Sequence, residues 1–157
     1  MTDIRALIKV PLIIAAIIII ARIILEQVGA PPWLNQVFGV TWLYLIIPFY
    51  FAVKIATSGA AKPFVTLLKT LAVFVLVSRI LIALTYMIAF AFSWSAPRFL
   101  IENGGVVGEG VTPVEGYLLI PFQNLVLTTL SITAIGMILG GIVIAVMRKR
   151  TPAASAT

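Results

Sequence analysis

The residues of this chain that could do chemistry are charged side chains inside long apolar segments. Arg22 and Glu26 lie in the first such segment, and Arg79 lies in the third. A charge inside hydrocarbon is costly, so each of these residues is a functional candidate that needs a partner. Glu26 follows Arg22 by one helical turn, a spacing that allows an ion pair on one helix face. The rise of a helix places Arg79 at a depth comparable to that of Arg22.

Three polar residues of the other apolar segments are predicted to join these charges in one layer: Tyr44, Gln123 and Asn124. One interpretation is a closed network in which Glu26 neutralises the arginines and fixes the helix register. A second is a binding site for an anionic headgroup, a carboxylate or a quinone-like oxygen, because guanidinium groups suit such acceptors and outnumber the carboxylate. A third is a proton relay through Glu26. The sequence leaves all three open.

The residue types give little support to enzymatic or cofactor chemistry. The chain has no cysteine and no histidine, which are the usual protein ligands of zinc, haem iron and iron–sulfur clusters. The apolar segments contain no pair of carboxylates, and the serines and threonines have no histidine base to activate them. We therefore predict a protein that is not an enzyme and that holds no metal and no cofactor.

The elements that position these residues are predicted from composition. Hydrophobic residues make up 62% of the 157 residues and charged residues only 10%, which is more apolar surface than one soluble core can hide. Four apolar runs approach or exceed the about 20 residues that cross a bilayer as a helix. We predict an all-α integral membrane protein, a single four-helix transmembrane bundle over residues 1–157, with helices at about 10–28, 40–57, 64–94 and 117–147.

The distribution of basic residues predicts the orientation of this bundle. Most lysines and arginines lie beside one set of helix ends: Arg5, Lys9, Lys54, Lys62, Lys69, Arg148, Lys149 and Arg150. The positive-inside rule then puts both termini in the cytoplasm, with outer loops at 29–39 and 95–116 and a basic C-terminal tail at 148–157. We expect the inner (plasma) membrane of a bacterium. The net charge of +6 is explained by topology and by anionic lipid headgroups, so no nucleic-acid partner is expected.

Two nearly identical strings suggest an internal duplication. Tyr44 to Phe49 reads YLIIPF and Tyr117 to Phe122 reads YLLIPF, and each string follows an apolar segment that carries one arginine. This order predicts two hairpins of the same orientation, related by an approximate two-fold axis along the membrane normal. A chance match is the alternative, because the composition is so apolar.

The connecting segments carry turn signals. Prolines at 31 and 32 and a glycine at 39 predict a short helix between the first two long ones. The glycine-rich segment 95–116 is expected to be a flexible connector, or alternatively an acidic outer lid for cations or a partner.

Small residues in the last apolar run predict close helix packing. Gly136 and Gly140 form a GxxxG pattern that Gly141 extends, and such a pattern lets another backbone approach. The approaching helix belongs either to this chain or to a second protein bound through the fourth helix.

The function expected from these features is a small non-enzymatic membrane protein, an accessory, assembly or scaffold component of a membrane complex. The alternative is a transporter, channel or binder of a small anionic or lipid-like ligand that uses the arginine and glutamate layer. A water-filled cavity at that layer would favour the alternative, whereas a closed and fully paired layer would favour the scaffold.

Overall fold

The protein, seen in a computed structural model that describes residues 3–150, is helical throughout and forms no β-strand in that range. Its α-helices are α1 (Ile4–Gln27), α2 (Pro32–Val37), α3 (Val40–Thr57), α4 (Pro63–Ala91) and α5 (Ile120–Arg150), with a π-helical turn (Glu115–Leu119) directly before α5. Four helical segments are long and apolar enough to cross a membrane, so the predicted number of long helices is confirmed. Residues 151–157 of the predicted basic tail lie outside the described residues.

Helix α3 spans the predicted residues 40–57, whereas the first and last long helical segments begin earlier than predicted because polar side chains cap them beyond the apolar runs. Helix α1 begins at Ile4 rather than near residue 10, since the backbone N–H of Arg5 donates to the Asp3 carboxylate at 2.9 Å. Helical structure before α5 also begins early. There the N–H and the hydroxyl of Thr112 both donate to the Glu115 carboxylate at 2.8 Å, while the Glu115 N–H donates back to Thr112 Oγ1. This reciprocal pair is a capping box.

Helix α4 ends at Ala91, earlier than its apolar run predicts. Ser93 has a positive φ of 49°, and the N–H of Trp94 donates back to the Ala89 carbonyl at 2.9 Å. This is the hydrogen-bond pattern that closes a helix through a left-handed residue. The chain then turns back over the end of the bundle.

The four long helices do not pack as two equivalent hairpins. Helices α3 and α4 contact each other and both of the remaining long helices, whereas α1 and α5 do not contact each other within the described residues. A two-fold axis relating α1 to α4 and α3 to α5 would make the α3–α4 and α1–α5 contacts equivalent. The packing therefore departs from the predicted symmetry, and a duplication in the sequence remains a prediction.

The core lies among the four long helices, with most of its buried residues on α3 and α4. Phe51, Phe74 and Tyr44 form a chain of edge-to-face ring contacts at centroid distances of 5.7 and 6.2 Å. Gly140 packs here, because a Cβ added to it would lie 2.9 Å from Leu67 Cδ2 and 3.0 Å from the Pro48 carbonyl oxygen. The GxxxG pattern is thus used for packing within the chain.

The exterior of the bundle is apolar as well as the interior. Large apolar side chains are exposed along all four long helices, for example Ile17, Ile46, Leu84 and Leu130. Exposed apolar surface on this scale marks contact with a membrane or a partner rather than with water. The architecture is compatible with a multi-pass integral membrane protein.

The connections at 28–39 and 92–116 form one end of the bundle, here called the loop end. The predicted short helix is present there as α2. The segment 95–116, which was expected to be a flexible connector, contains two short 3₁₀ turns and buries Phe99 and Val106 completely. Gly105 permits this fold, because a Cβ at that position would overlap the backbone of Phe99.

Candidate functional site

A carboxylate held between two guanidinium groups lies at the loop end. The Arg22 Nε donates to Glu26 Oε1 at 2.9 Å, and the Arg98 Nε lies 2.8 Å from Glu26 Oε2. The Glu26 side chain is only 3% exposed, against 16% for Arg98 and 27% for Arg22. The second contact is an ion pair without the alignment of a hydrogen bond, because neither of its two atoms has a hydrogen-bond partner. These three residues are called the arginine cluster below.

The fold positions each member of the arginine cluster separately. Arg22 and Glu26 lie one turn apart on α1, which produces the ion pair expected from their spacing. Arg98 comes from the 3₁₀ turn Pro97–Phe99, and its guanidinium carbon lies 4.3 Å above the centre of the Phe99 ring. Phe99 is itself fixed against Tyr86 and Trp94, with ring centroids 5.2 and 5.6 Å apart. Aromatic packing of the loop thus places Arg98 next to the C-terminal end of α1.

Burial raises the electrostatic free-energy cost of the arginine cluster. Desolvation lowers the pKa of Arg98 from its ordinary value, the charge of Glu26 raises it again, and the nearby charge of Arg22 lowers it. Arginine nevertheless stays protonated in proteins. Two positive charges therefore share one negative charge in a site largely removed from water.

A cavity of about 440 Å³ opens beside the arginine cluster. Arg22, Glu26 and Arg98 line it, together with Asn35 and Gln36 of α2 and a turn at residues 95–97. The side-chain oxygen of Asn35 and the Arg98 Nη2 are buried without hydrogen-bond partners. This outer cavity therefore presents polar groups that a ligand or water can satisfy.

A second, smaller chamber of about 130 Å³ lies next to it, between α1, α3 and α4. Arg22 and Arg98 line this inner chamber as well, and Arg79 joins them with Thr41, Tyr44 and Tyr86. The Arg79 Nη2 donates to Thr128 Oγ1 at 3.1 Å, while its Nε is buried without a partner. Beneath the chamber, the Tyr44 hydroxyl lies 2.9 Å from Ser78 Oγ. Since the Ser78 hydroxyl donates to the Val75 carbonyl, Tyr44 is the donor between the two.

The structure brings together most of the residues predicted for the polar layer, but not in one network. Arg22 and Glu26 form the ion pair, and Arg79 and Tyr44 lie at the inner chamber. Asn124 borders only a small void beside Arg79 and Tyr86, and Gln123 is exposed on α5 rather than in the layer. The ion partners of Glu26 among the described residues are Arg22 and Arg98, not Arg79.

The contact of Arg98 with Glu26 was not predicted, since Arg98 falls in the segment 95–116 that was expected to be an outer loop. The only available signal was its place in the string Pro97-Arg98-Phe99, a basic residue between a turn former and an aromatic ring in a loop that otherwise carries carboxylates. That string does not predict where the loop folds. Its approach to Glu26 depends on tertiary packing.

Metal binding and known relatives give no further guidance. Residues 3–150 contain no group of three or more histidine, cysteine, aspartate or glutamate side chains that could hold a metal ion. Comparison with known proteins found no matching family model, no similar curated protein and no similar solved structure. The evidence on function therefore comes from the chemistry of the cavities.

Proposed function

We propose that this chain is an integral membrane protein that binds a small anionic ligand at its loop end. The observation that supports this most directly is the 440 Å³ cavity lined by Arg22, Glu26 and Arg98. Guanidinium groups in a site of low dielectric bind carboxylate and phosphate oxygens strongly and with defined geometry. The ligand class is therefore an oxyanion or a molecule that carries one.

The charge balance supports a ligand over a closed structural network. Arg22, Arg79 and Arg98 carry three positive charges against the single negative charge of Glu26, which leaves two positive charges in excess. A structural network would gain most if every buried donor were paired. Here Arg79 Nε and Arg98 Nη2 have no partner, and an anion would supply both the missing acceptors and the missing charge.

The accessory or scaffold role expected from the sequence receives less support. A closed and fully paired polar layer would favour it, and a protein partner was considered possible through the fourth helix. The polar layer instead borders a cavity, and Gly140 is occupied by Leu67 and Pro48 of the same chain.

We propose binding rather than transport for the anion. On the side of Tyr44 that faces away from the loop end, the core is closed by the buried side chains of Phe51, Ile55, Leu71 and Phe74. Among the described residues, polar side chains thus line the loop end, and buried apolar side chains close the bundle beneath it. For orientation, we propose cytoplasmic termini and a loop end that faces the outside of a bacterial inner membrane.

Anion binding is testable with purified full-length protein in a neutral detergent. The probes are the sodium salts of acetate, succinate, sulfate and phosphate, titrated at constant ionic strength and followed by the unfolding temperature. Binding to the folded state alone adds about 2.7 kcal/mol of stability at a ligand concentration one hundred times Kd. We expect at least one probe to give a saturable increase that Arg98→Gln abolishes.

The matched control is Gln123→Ala, which changes an exposed polar side chain of α5 that lines neither cavity. It should leave the increase intact. If no probe gives a saturable effect, or if Arg98→Gln binds as the unmodified protein does, the proposed function is wrong.

A further inference from the structure

We propose that the inner chamber is a phosphate subsite, which holds the phosphate group of either an anionic lipid headgroup or free inorganic phosphate. This rests on the proposed function and names its ligand more narrowly. The chamber differs from the outer cavity in size, in charge and in the number of elements that supply its arginines, and each difference favours phosphate.

The size of the chamber suits one compact group. Its volume is about 130 Å³, room for about four water molecules at roughly 30 Å³ each. A phosphate group has one phosphorus and four oxygen atoms, so its size is comparable to that of four water molecules. A longer organic acid would have to extend into the outer cavity, which shares Arg22 and Arg98 with the chamber.

The lining of the chamber matches the charge of phosphate. Three arginines belong to its described lining, Arg22, Arg79 and Arg98, and no acidic residue does. Glu26 offsets one of the three charges through its contacts with Arg22 and Arg98. The remaining excess of two matches a phosphate monoester or hydrogen phosphate, which carries close to two negative charges near neutral pH, better than a monocarboxylate.

The donors converge from different elements, as a tetrahedral acceptor requires. Arg22 approaches from α1, Arg79 from α4 and Arg98 from the 3₁₀ turn. A planar carboxylate has two oxygens in one plane and meets one or two guanidinium forks well. A phosphate presents its oxygens in several directions, so it can accept from all three arginines together. Arg79 lines the chamber, and its Nε is buried without a hydrogen-bond partner among the described residues.

The chamber adjoins the outer cavity at Arg22 and Arg98 and lies beside the start of α3. Thr41, in the first turn of α3, lines the chamber and is exposed. The neighbouring Trp42 is exposed as well, and its indole N–H donates to the Gln36 carbonyl at 3.3 Å. Tryptophan at such a position is typical of the headgroup layer of a membrane. A phosphate could therefore arrive on a lipid from the bilayer or as a free ion from solution.

The test measures affinities of the full-length protein in neutral detergent for three probes: inorganic phosphate, dioctanoyl phosphatidic acid and succinate. The informative variant is Arg79→Gln, because Arg79 lines the inner chamber and not the outer cavity. Loss of one charged hydrogen-bond donor should weaken the phosphate probes about tenfold or more and leave succinate within about twofold. Arg79→Lys should restore part of the loss.

Two further variants keep the result interpretable. Thr128→Val removes the hydrogen-bond partner of Arg79 outside the chamber but keeps the charge, so it should change phosphate affinity by less than about threefold. Tyr86→Phe removes a hydroxyl at the chamber and keeps the ring that packs on Phe99. Should Arg79→Gln fail to purify as a folded protein, Tyr86→Phe is expected to weaken phosphate about fivefold without affecting succinate.

The outcomes separate this inference from the proposed function. Binding of phosphatidic acid but not of inorganic phosphate identifies a lipid headgroup, the reverse identifies free phosphate, and both support the subsite. If Arg98→Gln abolishes anion binding while Arg79→Gln and Tyr86→Phe have no effect, the phosphate subsite is wrong and the proposed function stands. Equal affinity for succinate and phosphate also overturns the subsite. If no probe binds at all, both proposals fail.

Discussion

Glu26 is the residue on which the loop end depends, because its two carboxylate oxygens contact guanidinium groups from two different elements. The pair with Arg22 is local, within one turn of α1, and the pair with Arg98 joins α1 to the connection between α4 and α5. Removing one partner of a buried ion pair is strongly destabilising, since it leaves an uncompensated charge. The carboxylate thus holds the folded loop against the bundle.

We predict that Glu26→Gln lowers the free energy of unfolding by roughly 3–5 kcal/mol, measured as a lower unfolding midpoint in detergent by tryptophan fluorescence. Adding Arg98→Gln should recover part of this loss, because it removes the second charge left without a partner. Arg79→Gln is the matched control and should recover less, since Arg79 bonds to Thr128 and not to Glu26. If Arg98→Gln and Arg79→Gln recover the same stability in the Glu26→Gln background, only the total charge of the arginines determines that stability.

At the residue scale, some side-chain contacts could be predicted from the sequence and others could not. The Arg22–Glu26 pair follows from helical spacing and was predictable. Arg98 was not, because its place is set by the packing of Phe99 against Tyr86 and Trp94, which brings Arg98 to Glu26 in a distant part of the chain. The exposure of Gln123 could not be predicted for a similar reason: depth along a helix is readable from the sequence, but rotation about the helix axis depends on packing.

At the scale of the elements, α5 is held in the bundle by its small residues. A Cβ at Gly140 would meet Leu67 and the Pro48 carbonyl at 2.9 and 3.0 Å, and one at Gly136 would meet Leu71 at 3.2 Å. A Cβ at Gly141 would lie 3.8 Å from Phe64, an ordinary van der Waals contact. Adjacent glycines of one helix therefore differ in what they can tolerate.

We predict that Gly140→Ala destabilises the protein by about 1–3 kcal/mol through overpacking between α3, α4 and α5. Gly141→Ala is the control one position away and should be neutral or slightly stabilising, because alanine favours a helix interior by about 1 kcal/mol over glycine. The measurement is the unfolding midpoint of each variant in the same detergent. If the two variants lose the same stability, the contact of α5 with Pro48 and Leu67 is not the reason for the glycine pattern.

The limits of the helices were only partly predictable from the sequence. The apolar runs locate all four long helices, but the early starts of α1 and of the π-helical turn depend on Asp3 and on the Thr112–Glu115 pair. Such caps lie outside the apolar runs and are easily overlooked.

The matching strings at Tyr44 and Tyr117 were also predictable only in part. Tyr44 is 7% exposed and bonded to Ser78, whereas Tyr117 is 39% exposed and packs on Phe90.

At the scale of the whole molecule, the two ends of the bundle differ in charge. The loop end carries the arginine cluster and the carboxylates Glu102, Glu109 and Glu115, while lysines at 54, 62 and 69 and basic residues at 148–149 belong to the other end. This asymmetry favours retention of the lysine-rich end in the cytoplasm. The cluster would then face outward, so the orientation decides on which side an anion must be supplied.

The orientation is testable because the chain contains no cysteine of its own. Glu109→Cys places a thiol on an exposed turn of the loop end, and Lys62→Cys places one on the exposed connection between α3 and α4. In intact bacterial cells that express the protein, a membrane-impermeant maleimide should label position 109 at once and position 62 only after permeabilisation. The reverse pattern would invert the orientation, and the anion would have to come from the cytoplasm. Labelling of both positions from one side would contradict a membrane-spanning α4, since α4 separates the two sites in the chain.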